Sequence, residues 1–164
     1  MAHDVLAALR DLHRRQEEQR KNNLRCLEML SEEQVWQRAL PSLNSIGNLL
    51  LHLTGNERHY LGLGVGGVDY KRDRPREFTT QGGVSKAELR ELQLEAQRIT
   101  TEVLDRLTPA DFALPPQGGV EYDNHDRLGL LLHVFHHYSY HSGQILLWTK
   151  IVTGTDTQLL RWKH

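Results

Sequence analysis

The sequence predicts an all-α fold, a four-helix bundle. Apolar residues recur at spacings of three and four through four long segments, and stretches rich in Gly and Pro separate them. No segment shows the two-residue alternation of a half-buried strand, which sets aside an α/β arrangement.

The first helix is expected from about Asp4 to Leu30. Val5, Leu6, Leu9 and Leu12 open its apolar stripe, and Leu24, Leu27 and Leu30 resume it. The middle, RRQEEQRKNN, is strongly polar and interrupts the stripe, so part of it is expected to be solvent-exposed all round. Ser31 then caps a short turn with Glu32 and Glu33 at its positive end, and Pro41 closes this segment. A second long helix runs from Ser42 or Asn44 to about Tyr60 on Ile46, Leu49, Leu50 and Leu53, with Asn44, Asn48, His52 and Asn56 as a polar column four residues apart. LGLGVGGVDYKRDRPREFTTQGG holds six of the thirteen glycines and reads as a long loop. Ser85 and Glu88 form a capping box for a third helix to about Leu107, buried through Leu89, Leu92, Ala96, Ile99 and Val103. Thr108-Pro109 breaks it, and a short extended piece is expected around Gly119 to Tyr122. The fourth helix, about Asp126 to Val152, is apolar nearly all round and is expected at the centre of the bundle. The tail TQLLRWKH is expected to dock loosely.

Residues 1–164 have the size of one domain, since a chain this long buries roughly 70% of its unfolded surface. The formal charge is −1, from 20 basic and 21 acidic side chains, and argues against nucleic acid or an anionic membrane as the main partner. No apolar run approaches the ~20 residues needed to cross a bilayer, and the first thirty residues lack the apolar core of a signal peptide. The lone Cys26 forms no internal disulfide and lies in a helical apolar pattern, which fits an inert buried thiol and a reducing cytoplasm.

Ten histidines are unusual for this length, and five of them fall between residues 125 and 141. Two imidazoles four residues apart on a helix lie on one face and reach a common metal ion at about 2.0–2.1 Å. His133 with His137, and His137 with His141, both have that spacing. All three cannot reach one ion, because His133 and His141 are about 12 Å apart along the axis. His52, set within the apolar LLLHL, is the candidate third ligand. Burying several imidazoles together without a cation or partners costs on the order of 1–3 kcal/mol each, which favours a metal.

HHYSYHSGQILLW closely resembles the signature of the DinB-like metal-binding superfamily, whose last helix carries H-x-x-x-H followed by a small residue, Gly and Gln; here these are His137, His141, Ser142, Gly143 and Gln144. NLLLHLTGNERHYL resembles the second helix of that superfamily, with His52 as its histidine, and RDRPREF is similar to the loop of one subgroup. The resemblance spans about Leu6 to Lys150 and implies a ligand set of His52, His137 and His141. Relatives in that superfamily include bacillithiol- and mycothiol-dependent S-transferases and a mycothiol-dependent maleylpyruvate isomerase, and the resemblance implies that dimers are common.

Three histidines leave a coordination position open, a catalytic rather than a structural pattern. Zinc or nickel is expected, and iron and manganese also accept such ligands. The expectation is a transferase that joins a low-molecular-weight thiol to a small electrophile at that position. A hydrolase using metal-activated water is the alternative, with Glu57 or His133 as its base, and a metal-binding stress protein without turnover is the third reading. Lys71, Arg72, Arg74 and Arg76, interleaved with Asp73 and Glu77, read as a solvated loop paired within itself. Gln144 is placed to orient a ligand or to bond the backbone, Asn48 and Asn56 to line the pocket or the helix packing, and Tyr138 and Trp148 to fill the core.

Overall fold

The computed structural model describes residues 5–159. Six α-helices form: α1 (Val5–Met29), α2 (Glu32–Trp36), α3 (Ile46–Asn56), α4 (Arg74–Thr79), α5 (Lys86–Arg106) and α6 (Arg127–Thr153). Among the described residues there is no strand, and no helix is long and apolar enough to cross a membrane. The chain is an all-α bundle of DinB-like type. The tail from residue 160 onward lies outside the described residues.

Four long helices make the bundle, α1, α3 with its continuation, α5 and α6. Each packs on two neighbours, in the ring order α1, α6, α3, α5. Side-chain pairs give the directions. Gln19 meets Ser139 and Asn23 meets Ser142, so α1 and α6 run parallel. Gln93 reaches Leu50 and Thr54 while Thr100 reaches Glu57, so α3 and α5 run parallel too. His52 faces His137 and Asn56 faces His133, which makes α3 antiparallel to α6. The order is therefore up, down, down, up. Two parallel neighbours cannot be joined by a tight turn, and this explains the long crossover between α3 and α5. That crossover returns along α3 and lays α4 against it.

Local signals set most helix ends. Ser31 with Gln34, Ser45 with Asn48, and Ser85 with Glu88 all close reciprocal capping boxes. Asp126 caps α6, and Gly154 ends it in the left-handed region at φ 63°.

The glycine-rich run departs from expectation. Leu61–Val65 are not loop: a π-helical segment, Glu57–Val65, carries α3 onward. Its glycines serve close packing. A Cβ on Gly64 would stand 2.7 Å from Leu130 Cδ1, and one on Gly66 would stand 2.2 Å from Val103 Cγ2. Gln117 donates to the carbonyl oxygens of Gly64 and Val65 at 2.8 Å each and so satisfies the end of this segment. The extended piece expected at Gly119 to Tyr122 is replaced by turns, with Gly118, Gly119, Asp123 and Asn124 all at positive φ.

The polar middle of α1 is also corrected. Gln16, Arg20 and Asn23 are buried, and they continue the stripe of Leu9 and Leu27 rather than breaking it. Arg20 donates to both oxygens of Glu57 at 2.8 and 2.9 Å and to the Gln93 carbonyl at 2.9 Å. Thr100 and Gln16 add hydrogen bonds to Glu57, and the Tyr138 hydroxyl donates to Gln93. This belt lies between two apolar clusters, one around Leu61, Val103 and Leu130 and the other around Leu27, Leu50 and Ile145. Buried ions without such partners would cost several kcal/mol each. Cys26 is buried in the second cluster, where burial raises the thiol pKa and keeps it inert.

Helix α6 is not central. In a ring of four every helix keeps an outward face, and Leu132, Tyr140, Leu147 and Ile151 lie on that of α6, between 47% and 61% exposed.

Candidate metal centre

Antiparallel packing of α3 on α6 sets the geometry. His52 comes from the middle of α3, and His137 and His141 come from one face of α6. The Nε2 atoms of His52 and His137 are 2.9 Å apart, and one nitrogen from each of the three rings lies within 4.8 Å of the others. In a tetrahedral site with bonds of 2.0–2.1 Å, ligand nitrogens stand about 3.3 Å apart. The trio fits one cation with a small adjustment. His133 stays outside it. Its ring centroid is 5.4 Å from that of His137, and its Nε2 takes up the amide of Asn56 at 3.2 Å. The structure thus brings His141, rather than His133, to His52.

The far nitrogens of two rings are held from behind. Nδ1 of His52 is 2.7 Å from Glu77 Oε2, and Nδ1 of His141 is 2.6 Å from Gln144 Oε1. An acceptor at Nδ1 fixes the proton there and leaves the Nε2 lone pair facing the centre. Burial, followed by the fields of His141, His52, His133 and Arg72, pushes the pKa of His137 down to about 2. Burial likewise lowers that of His141, and takes that of His133 to about 4. Neutral imidazole is the form that binds metal.

Glu77 is the residue that sequence reasoning missed. The basic loop was expected to be solvated and internally paired. The pairing is present, with Arg72 Nε and Nη2 donating to the two oxygens of Glu77 at 2.7 and 2.8 Å, but both side chains are only 7% exposed. Burial alone would raise the Glu77 pKa, yet the hydrogen bonds from Arg72 and His52 hold it below the usual carboxylate value. The available signal was Asp73-Arg74-Pro75, a helix start with Asp as cap and Pro in the first turn. Asn48 does not line the site. Its Nδ2 donates to the carbonyl oxygens of Glu77 and Thr80, and this pins α4 to α3. Gly55 makes room, since a Cβ there would stand 2.0 Å from Glu77 Oε1.

The other candidates separate clearly. Glu57 is consumed by Arg20 in the interior and is no base for this site. Lys71, Arg74 and Arg76 are exposed, and Arg74 lies over Phe78, whose ring is 4.7 Å from that of His52. Tyr138 is buried, and Trp148 packs on the core while donating to the Gln37 carbonyl. A cleft of about 1010 Å³ between α3, the crossover and α5 has Glu77 on its wall but none of the three histidines. It lies behind the centre.

A family model described as mycothiol-S-transferase matches residues 11–148, a span that includes His52, Glu77, His137 and His141. No curated protein matches the chain.

Proposed function

The chain belongs to the mycothiol-S-transferase family, and on that footing we propose that it joins a low-molecular-weight thiol to an electrophilic small molecule at a metal ion held by His52, His137 and His141. The observation that carries this reading is the convergence of three imidazoles with no fourth protein ligand among the described residues. Three histidines fill three positions of a tetrahedral site and leave the fourth for substrate. Zinc or nickel suits the donors. A divalent ion bound there supplies the positive charge that favours thiolate over thiol at neutral pH.

The remaining work falls to the chain's own side chains. Glu77 and Gln144 orient two rings, Arg72 keeps Glu77 ionised, and Phe78 shields the His52 ring from water on one side. Hydrolysis would need a positioned general base; Glu57 and Glu77 are already engaged by arginine, and His133 Nε2 is taken up by the Asn56 amide. The test is conjugation of a model electrophile by metal-loaded protein. Product that forms only when mycothiol or a related thiol is added supports the proposal. Ester turnover without any thiol would overturn it in favour of a hydrolase.

A further inference from the structure

The cleft behind the metal centre, about 1010 Å³, is large enough for a small organic molecule. Parallel α3 and α5 form two of its walls, and the crossover between them forms the third. Leu51 of α3, Val84 of the crossover and Leu94 of α5 give it an apolar lining, and all three are only part-buried. Arg58, from the π-helical continuation of α3, is its anchor. The guanidinium carbon lies 4.3 Å from the ring centroid of Tyr70, and Nη1 donates to Glu95 at 3.1 Å, so the crossover and α5 hold this group from two sides. It makes no other hydrogen bond among the described residues.

Five acids and four bases line the cleft, but they are unevenly engaged. Asp73 caps α4 and Glu88 caps α5, where the helix dipole offsets their charge. Glu77 is held by Arg72 and His52, and Glu95 by Arg58. Among the described residues only the exposed Glu91 is left without such a partner. Lys71, Arg76 and Arg98 make no side-chain hydrogen bond or ion pair there. The groups free to meet a ligand are therefore mostly cationic donors above an apolar wall.

We propose that this cleft is a second binding site, which takes a small organic anion with its oxygen-bearing head group on Arg58 and its apolar body along Leu51, Val84 and Leu94. An anionic head accepts from the guanidinium, while a cationic head would be repelled by it and would offer no acceptor. The site is distinct from the open metal position, because none of His52, His137 and His141 lines it. The inference does not depend on the thiol chemistry proposed above.

The test uses full-length, zinc-loaded protein and the fluorescence of bound 8-anilinonaphthalene-1-sulfonate. Octane-1-sulfonate and octyltrimethylammonium, which share an apolar body and differ in head group, are compared as displacing ligands. A sulfonate is a poor ligand for a divalent metal, so the metal centre does not compete for either. One hydrogen bond to a charged group predicts a preference of about tenfold or more for octane-1-sulfonate. Arg58→Met, which keeps the bulk and removes the charge, is expected to reduce that preference to within about twofold. Leu147→Ser, on the exposed apolar face of α6, is expected to leave it unchanged. Equal affinity for the two octyl compounds overturns the inference, as does a preference that survives Arg58→Met or is lost in Leu147→Ser. Absence of any binding that octane-1-sulfonate displaces overturns it too. The comparison in unsubstituted protein decides the matter even where Arg58→Met fails to fold.

Discussion

The Glu77 carboxylate accepts the Nδ1–H of His52 at 2.7 Å while Arg72 holds both of its oxygens from the other side. The fold brings them together through topology. Parallel α3 and α5 require a long return of the chain, and that return carries Glu77 back to the middle of α3. The orientation of the His52 ring therefore depends on a segment 25 residues away in sequence.

Replacing Glu77 by Gln keeps an acceptor at Nδ1 but removes the charge. The expected result is a metal affinity lower by about 10- to 100-fold, measured by competition with a chelator, in protein that keeps its helical content.

Gly55→Ala is expected to act through the same carboxylate, because its methyl would stand 2.0 Å from Glu77 Oε1. Metal affinity should fall in the same direction as in Glu77→Gln. The double variant should lose little beyond the larger single effect, since both substitutions disturb one interaction. Additive losses in chelator competition would show that Gly55 acts elsewhere.

The Arg20–Glu57 pair lies outside the metal centre and predicts a different phenotype. Both side chains are 1% exposed, and cutting either one strands a buried charge. Arg20→Met or Glu57→Gln should cost about 3–5 kcal/mol in urea unfolding, and Arg20→Met combined with Glu57→Met should cost less than the single changes predict together. Metal content of the folded fraction should not change.

Metal removal should lower thermal stability. An ion that binds the folded chain alone stabilises it by about 2.7 kcal/mol at a hundredfold excess over Kd, which for this size corresponds to roughly 5–10 °C in Tm. Identical melting with and without metal would argue against a site built in the native state.

The helices were legible because they are written in local spacing, and the grouping of the three histidines was legible from spacing together with the resemblance. Apolar residues at three and four mark α1, α3, α5 and α6, and the resemblance in HHYSYHSGQILLW chose His141 over His133 where spacing alone left them equal. Partnerships made across the bundle were not legible. Arg20 looks like a surface charge until Glu57 arrives from α3's continuation, and Glu77 looks like part of a solvated loop until α4 docks. The glycines around Gly64 looked like loop because glycine signals both turns and close packing, and only the neighbour Leu130 tells which applies.

The central claim is that His52, His137 and His141 hold one ion between them. Elemental analysis of the purified protein beside a His137→Ala variant tests it most directly. About one equivalent of divalent metal per chain is expected in the first and almost none in the second, with both folded. Equal metal in the two proteins would contradict the assignment.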